Sequence, residues 1–161
     1  MATEHSELLN RTQDPLALLT DDHQKVMELF DRFEAALEEE AEDELEDIAH
    51  EICDELEIHS ELEEEIFYPA AAEHAELVTL VEQAQQEHDD VKAIIEEIRA
   101  ASADDDELEG LMQRLQEAVE THVREEENVM FPQVEELLED RLEELGVRLA
   151  RRKEELTAGR E

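Results

Sequence analysis

The chain has few of the residues that interrupt helices or build loops. It contains three glycines and three prolines among 161 residues, too few for a loop-rich or all-β protein. Abundant glutamate, leucine and alanine favour helix instead. The single cysteine, Cys53, excludes an internal disulfide framework and is typical of a reducing cytoplasm, where we expect the protein to act. No run approaches the roughly 18 apolar residues of a membrane helix.

Positive charge is also scarce. The chain has 51 acidic and 13 basic side chains, a net charge of -38, and lysine occurs only as Lys25, Lys92 and Lys153. Such a surface repels nucleic acid and anionic membranes, so we expect neither as a partner. The apolar spacing is too regular for a disordered acidic chain. We therefore hypothesise a protein from a salt-accumulating, halophilic source, because screening shortens to about 3 Å in molar salt.

Four segments carry apolar stripes with three- and four-residue steps, the pattern of a helix buried on one side. Each stripe contains one histidine, and the four are His23, His59, His88 and His122. The apolar members are Leu16, Leu19, Val26, Phe30, Phe33 and Leu37; Leu45, Ile48, Ile52, Leu56, Ile66 and Ala70; Leu77, Val81, Ala84, Val91, Ile95 and Ile98; and Leu108, Met112, Leu115, Val119 and Val129.

The start of the first helix has a clear signal, whereas its end does not. Asp14 before Pro15 predicts an N-cap followed by proline at the first helical position. Thr20 is expected to restart the helix after a short N-terminal turn. The break between the first and second helices is expected within residues 39–44, which contain neither glycine nor proline.

The later boundaries are more distinct. Residues 101–106 form the clearest break, and Asp104 with Glu107 three positions later makes a capping-box-like start. Pro69 and Pro132 are expected to kink or end the second and fourth helices.

One eleven-residue phrase occurs twice, as His59–Pro69 and as His122–Pro132. Both copies read His-x-x-x-Glu-Glu-x-x, then an aromatic residue or Met, then an aromatic residue and Pro. His23 precedes His88 by 65 positions, and His59 precedes His122 by 63. These offsets indicate an internal duplication of one helical hairpin.

The duplication predicts an all-α fold, an antiparallel up-down-up-down four-helix bundle over residues 14–132. Residues 1–13 are expected to form an N-terminal extension, and residues 133–161 a C-terminal helical extension packed on the bundle. This last segment holds six of the thirteen basic residues. Its apolar stripe consists of Leu138, Leu142, Leu145, Leu149 and Leu156.

The histidines form a larger pattern with two glutamates. His59 and Glu63 are four positions apart, as are His122 and Glu126, so each pair shares one helix face, about 6 Å apart along the axis. Four imidazoles and two carboxylates would point at the bundle axis and suit a pair of five- or six-coordinate first-row metals better than one tetrahedral zinc. The predicted metal ligands are His23, His59, Glu63, His88, His122 and Glu126.

A structural role for these residues is the competing interpretation. One histidine on an apolar stripe is usually a core residue with a hydrogen bond. Four such histidines on four helices, with two glutamates on the same stripes, argue against it. An unpaired buried carboxylate costs several kcal/mol, and neither stripe contains an arginine or lysine to pair with Glu63 or Glu126.

Other candidates fit a metal site less well. His5, His50 and His74 lack the repeated context and are interpreted as surface or capping residues. Cys53 is expected to be a buried thiol. Glu64, Glu65 and Glu127 are assigned to the solvated face, with Glu64 as an alternative extra ligand.

At these residues the chain resembles the hemerythrin-like family, whose helical domains are named for His-His-Glu cation-binding motifs. The resemblance covers about residues 14–156 and implies a non-haem centre of two iron ions, with manganese or another first-row metal as the alternative. It implies that His23 and His59 serve one iron, that His88 and His122 serve the other, and that Glu63 and Glu126 bridge them.

One departure from the family pattern concerns the third helix. Oxygen-carrying hemerythrins use five histidines, two of them four residues apart on that helix. Here the positions four before and four after His88 are Ala84 and Lys92. The missing fifth imidazole argues against reversible oxygen carriage. A ferritin-like centre is disfavoured because its Glu-x-x-His pattern is absent.

Three functions are consistent with these features. The first is binding or sensing of oxygen, nitric oxide or peroxide at open iron positions, with any signal passed to an unidentified protein partner. The second is enzymatic, as reduction of peroxide or nitric oxide, or as iron delivery or repair. The third is a purely structural metal site. The sequence assigns no catalytic residue.

Overall fold

A computed structural model describes residues 14–101 and 105–159. Within these ranges the chain is helical and contains no strand. The predicted all-α bundle is confirmed. The α-helices are α1 (Pro15–Glu38), α2 (Glu42–Leu62), α3 (Tyr68–Ala71), α4 (Val78–Ala100), α5 (Asp105–Glu125), α6 (Phe131–Leu137) and α7 (Leu142–Ala158). Two π-helical segments, π1 (Glu63–Phe67) and π2 (Glu126–Met130), and two 3-10 turns, Ala75–Leu77 and Glu139–Arg141, complete the chain.

Side-chain contacts give the direction of the helices in each hairpin. In the first hairpin, residues later in α1 contact residues earlier in α2, as an antiparallel arrangement requires. The same order holds between α4 and α5. The pairs are Asp22 with His59 and Arg32 with Glu51 in the first hairpin, and Glu87 with His122 and Glu97 with Arg114 in the second.

The helices bury their apolar stripes in two clusters. One cluster is formed by α1, α2, α4 and α5. The other contains residues near the start of α1 and the end of α2, together with α3, α6 and α7. A buried polar layer crosses the bundle and consists of Asp22, His23, His59, Glu63, His88, His122 and Glu126.

The first helix is continuous from Pro15. The Asp14 carboxylate accepts a hydrogen bond from the Leu16 amide at 3.0 Å, so one cap serves the whole helix. The predicted restart at Thr20 and the separate N-terminal turn are therefore wrong, because Thr20 lies inside α1. The predicted extension at residues 1–13, including His5, and the cap at Asp104 lie outside the described residues.

The break between α1 and α2 lies within the expected range of residues 39–44. The residue that takes the left-handed conformation there is a glutamate rather than a glycine. Glu40 has a φ of 55°, in the left-handed region that favours glycine. The Ala41 amide donates to the Ala36 carbonyl and the Glu40 amide donates to the Leu37 carbonyl, which together form a Schellman motif. Because this position is a glutamate, the sequence lacks the glycine that usually marks the end of a helix.

Neither Pro69 nor Pro132 ends its helix, so that alternative of the prediction is wrong. A proline has no amide N–H, and its ring clashes with the carbonyl four residues earlier. In both copies of the phrase a π-helical turn precedes the proline, and the Tyr68 and Phe131 amides donate to the carbonyls five residues earlier, of Glu63 and Glu126. The extra residue widens the turn, and the helix continues.

The π turn also shifts the register of the fourth apolar stripe. Val129 was expected in the core but is 44% exposed, whereas Met130 is buried. One inserted residue rotates the following side chains around the helix axis, so Met130 takes the inward position.

Helix α7 packs on the first hairpin. Leu145 and Leu149 are fully buried in one cluster with Leu19 and Leu62. Basic residues of α7 form ion pairs with acidic residues of the bundle, among them Arg152 with Glu65 and Lys153 with Asp22. The domain boundaries at residues 13 and 132 stay a prediction. Among the described residues, no helix is long and apolar enough to span a lipid bilayer.

The acidic surface predicts a characteristic response to salt. Between about 0.1 M and 1 M KCl the screening length falls from about 10 Å to about 3 Å, which removes most repulsion among the acidic side chains. We expect the thermal midpoint to rise steeply in this interval and then flatten, by about 2–4 °C for each kcal/mol of repulsion removed. Calorimetry across a KCl series measures this effect. A midpoint already maximal at about 0.1 M would contradict a surface adapted to salt.

Candidate metal centre

All six predicted ligands lie together in the polar layer, and each is at most 6% exposed. The Nε2 atoms of His23 and His59 are 3.1 Å apart, and those of His88 and His122 are 3.2 Å apart. Four imidazole nitrogens from four helices thus converge in two pairs near the bundle axis.

The opposite nitrogen of every ring contacts a carboxylate. Each Nδ1 lies within hydrogen-bond distance of an aspartate or glutamate from another segment. When Nδ1–H donates to that carboxylate, Nε2 carries a lone pair toward the interior. The pairs are His23 with Glu127 at 2.6 Å, His59 with Asp22 at 3.0 Å, His88 with Glu64 at 3.0 Å and His122 with Glu87 at 2.8 Å. We call Asp22, Glu64, Glu87 and Glu127 the outer carboxylates.

The two inner glutamates connect the histidine pairs. Glu63 Oε1 lies 3.1 Å from His59 Nε2 and 3.0 Å from His88 Nε2. Glu126 Oε1 lies 3.2 Å from His23 Nε2, and its Oε2 lies 3.3 Å from His122 Nε2. Glu63 Oε2 and Glu126 Oε1 are buried and accept no hydrogen bond. Buried carboxylate oxygens without a hydrogen bond are stabilised by a cation nearby.

The donor atoms form two groups whose members all lie within 4.8 Å of one another. Adjacent donors around one ion with bonds of about 2.1 Å at near right angles are about 3 Å apart, which matches these separations. The residues of both groups therefore fit a metal-binding site. The groups are His23, His59, Glu63 and Glu126, and Glu63, His88, His122 and Glu126.

Without metal, protons must hold these groups together. Burial lowers the pKa of His59, but the carboxylates of Glu63 and Asp22 outweigh it and raise the value to about 10. Burial likewise lowers the pKa of His122, and hydrogen bonds to Glu126, Glu63 and Glu87 raise it to about 12. Burial raises the pKa of Glu63, but His59, His122 and His88 hold it well below its usual range. The site therefore favours positive charge at its centre.

Tyr68 is a member of this site that the sequence analysis missed. Its hydroxyl donates to Glu126 Oε2 at 2.5 Å and lies 3.1 Å from His88 Nε2 and 3.4 Å from His122 Nε2. Burial, Glu63 and Glu126 raise the pKa of Tyr68 well above its usual value, so the phenol keeps its proton. The available signal was the repeated phrase, which aligns Tyr68 with Phe131.

The Tyr68 hydroxyl is therefore one difference between the two halves of the centre. Phe131 stacks on His23, with ring centroids 6.2 Å apart and planes inclined by 9°. Tyr68 occupies the equivalent place beside His88, with centroids 5.2 Å apart, and adds an oxygen to that group.

The outer carboxylates were also missed. Glu64 and Glu127 were assigned to the solvated face, but they contact His88 and His23, so that assignment is wrong for both. Glu64 contacts His88 through Nδ1, on the opposite side of the ring from Nε2. In this position it is not among the inner donors that its alternative role as an extra ligand would require. The duplication carried the signal, because each outer carboxylate lies either one residue before His23 or His88, or five residues after His59 or His122.

Two of the chain's three lysines contact outer carboxylates. Lys92 Nζ lies 2.7 Å from Glu64 Oε1, and Lys153 of α7 contacts Asp22. Hydrogen-bonded networks of this kind orient metal-binding imidazoles. Lys92, which stands four residues after His88, thus contacts the site only through Glu64 and does not supply the missing fifth imidazole.

The remaining candidates lie outside the centre. His50 is exposed and His74 is half-buried at the start of the Ala75–Leu77 turn. Cys53 is a buried free thiol, as expected, and burial raises its pKa to about 11. Glu65 lies on the surface and pairs with Arg152.

Comparison with known proteins gives one result. The model of the hemerythrin HHE cation-binding domain family matches residues 14–156. No curated protein and no solved structure matches the chain significantly. The match and the buried cluster of histidines and glutamates together indicate a metal-binding site.

The raised histidine pKa values predict how stability depends on pH. The pKa of His59 is about 10 in the metal-free folded state and about 6.5 when unfolded. Its contribution to the free energy of unfolding is complete below pH 6.5 and is lost as pH rises toward 10, and the same sign holds for His122. Chemical denaturation of metal-free protein between pH 6.5 and 10 should show a decline of up to about 1.4 kcal/mol per pH unit for each histidine.

The metal-loaded protein is the control for this experiment. Its inner nitrogens bind metal rather than protons, so its stability should not show the decline. Constant or increasing stability of the metal-free protein over the same interval would contradict the proposed protonation.

Proposed function

The chain belongs to the hemerythrin HHE cation-binding domain family, and from this premise we propose that it is a di-iron protein that binds or senses a small ligand. The ligand is oxygen, nitric oxide or peroxide, bound at coordination positions that the side chains leave open. His23 and His59 would hold one iron, His88 and His122 the other, and both inner glutamates would serve the pair. Iron supplies the redox chemistry and the affinity for such ligands.

The observation that carries the proposal is the convergence of lone pairs. Two inner nitrogens face each other at 3.1 Å in one group and 3.2 Å in the other, beside two carboxylate oxygens that accept no hydrogen bond. Such an arrangement is repulsive unless a cation lies among the atoms. A pair of metal ions supplies that charge at the centre of both groups.

The donor set favours iron over zinc. Each group offers two imidazoles and two carboxylates, which suits an ion that accepts five or six ligands. Structural zinc is usually tetrahedral and leaves no position for a further ligand. Manganese accepts the same donors, so metal analysis of purified protein decides between them.

The second candidate is a reductase for peroxide or nitric oxide, and Tyr68 is the observation that favours it. Both reductions consume protons. The Tyr68 hydroxyl is a buried proton donor that contacts atoms of the His88 group. The phenol therefore holds a proton next to the place where an open metal position would bind its ligand.

The acidic surface of the protein is consistent with a concentrated salt solution and with a small ligand rather than a polyanionic partner. We propose that the protein acts in the cytoplasm of a salt-accumulating cell, where its net charge of -38 is screened. The same charge disfavours nucleic acid and anionic membranes as partners.

Removing one nitrogen from each group should abolish the metal centre. We expect the variant with both His59→Ala and His122→Ala to lose the bound iron, because both groups lose an inner donor. Metal analysis of protein purified anaerobically measures this loss. The exposed His50→Ala is the matched control and should keep the native metal content. Two irons per chain in the double variant would contradict the ligand assignment.

Spectra of the reduced protein should distinguish the candidate functions. Oxygen, nitric oxide and peroxide are added in turn to anaerobic protein while the visible spectrum is followed. A stable, reversible new band supports binding or sensing, and no response leaves a structural metal. When an external electron donor is also supplied, consumption of more molecules than the reduced centre alone can reduce supports the reductase.

Tyr68→Phe makes the test sharper because it removes the hydroxyl and keeps the ring. If the protein is a reductase, we expect this variant to bind the ligand and to lose most of its turnover. Native turnover in Tyr68→Phe would show that the proton comes from elsewhere.

A further inference from the structure

A cavity of about 190 Å³ lies between α4 and α5 and leads toward one half of the metal centre. His122 and Glu126, both buried, contribute to its lining. Ala84 and Met130, also buried, supply apolar wall. At the protein surface the cavity is bordered by Val129.

The other half of the molecule has larger buried side chains at the equivalent place. The 65-residue offset aligns Ala84 with Leu19, whose larger side chain is fully buried. The 63-residue offset aligns Met130 with Phe67, which is also fully buried. Helix α7 then covers this side, because Leu149 packs in the same cluster as Leu19 and Phe67.

Residue exposure follows the same asymmetry. Val129 is 44% exposed, whereas its counterpart Ile66 is buried. Among the described residues, the large apolar side chains that are exposed are Val129 and Val147. The apolar border of the cavity is therefore an unusual feature of an otherwise acidic surface, and it lies directly over the His122 side of the centre.

We propose that this cavity is the access route for the ligand, that Ala84 sets its width, and that it admits small uncharged molecules. The inference rests on the proposed di-iron function and deepens it, because it assigns ligand access to the His88 and His122 group alone. That group also contains the Tyr68 hydroxyl. Ligand and proton donor would thus meet at the same ion.

The charges around the cavity select against anions. Glu87 and Glu125 belong to its lining, and no lysine or arginine does. Gln83 donates to Glu125 at 3.0 Å and holds this carboxylate at the border. An anion passing between these groups is repelled, whereas oxygen, nitric oxide and hydrogen peroxide carry no charge.

Two variants that narrow the cavity test the route. Val129→Trp covers its opening from an exposed position where folding tolerates a large side chain, and Ala84→Leu narrows it inside. Stopped-flow mixing of the reduced metal-loaded protein with nitric oxide should give an association rate at least about tenfold below native in both variants, which corresponds to about 1.4 kcal/mol in the barrier. Val147→Trp, the matched control on α7, should react at the native rate.

A second measurement does not depend on reactivity. Crystals of the metal-loaded protein under xenon should show xenon in the cavity of the native protein and none in Ala84→Leu. For charge selection, Glu125→Gln should speed the association of azide with the oxidised protein at low salt and leave the nitric oxide rate unchanged.

The outcomes separate this inference from the proposed function. Native nitric oxide rates in both Val129→Trp and Ala84→Leu, with the new spectral band intact, would overturn the access route and leave the di-iron function standing. Protein that carries no metal, or that forms no band with any ligand, would instead overturn the proposed function.

Discussion

The structure depends on the burial of four imidazoles and two carboxylates in one layer of a helical bundle. Each group would be costly alone, because a buried unpaired charge costs several kcal/mol. Together they satisfy one another only if positive charge lies among them. In the metal-free state protons on His59 and His122 supply that charge, which is why their pKa values are so far above those of free imidazole. Metal ions bound through the inner lone pairs would supply it in place of those protons.

The same layer accounts for the local irregularities of the helices. Both π turns begin at an inner glutamate and end just before an aromatic residue that faces the centre. The extra residue of each turn accommodates the following proline and places Tyr68 beside His88 and Phe131 beside His23. In a regular α-helix, which turns by about 100° per residue, Tyr68 and Phe131 would lie on a different side of the helix from the one they occupy after the π turn. Pro69 and Pro132 therefore contribute to the geometry of the centre.

Much of the fold and the six inner residues could be predicted because both follow from short-range periodicity. Apolar stripes fix the helices, and the four-residue spacing of His59 and Glu63 fixes a shared face. What could not be predicted depends on contacts between helices or on a change of register. The outer carboxylates Asp22 and Glu87 act on histidines of other helices, so helical spacing alone gives no indication of them.

Two local departures from the predicted pattern have a related cause, although the break between α1 and α2 lies within the predicted range. Glu40 adopts a left-handed conformation without being glycine, because two Schellman hydrogen bonds in the turn hold the backbone there. Val129 is exposed because the π turn gives the inward position to Met130 and no further helix of the described residues covers Val129, whereas its counterpart Ile66 follows an equivalent turn and is buried in one cluster with Leu145 and Leu149 of α7. In each case a local preference gave way to the packing of the centre or of the turn.

Charge around the centre suggests why an acidic protein tolerates this arrangement. Two inner glutamates and four outer carboxylates contact the four imidazoles, and the cations in contact with the outer carboxylates include Lys92 and Lys153. Under the proposed di-iron function, two divalent ions together with these lysines would bring the site close to neutral, whereas the metal-free site keeps an excess of carboxylates that protonated histidines reduce. Screening by salt acts at the surface but weakly at a buried site. The buried centre therefore requires its own cations, even where salt screens the acidic exterior.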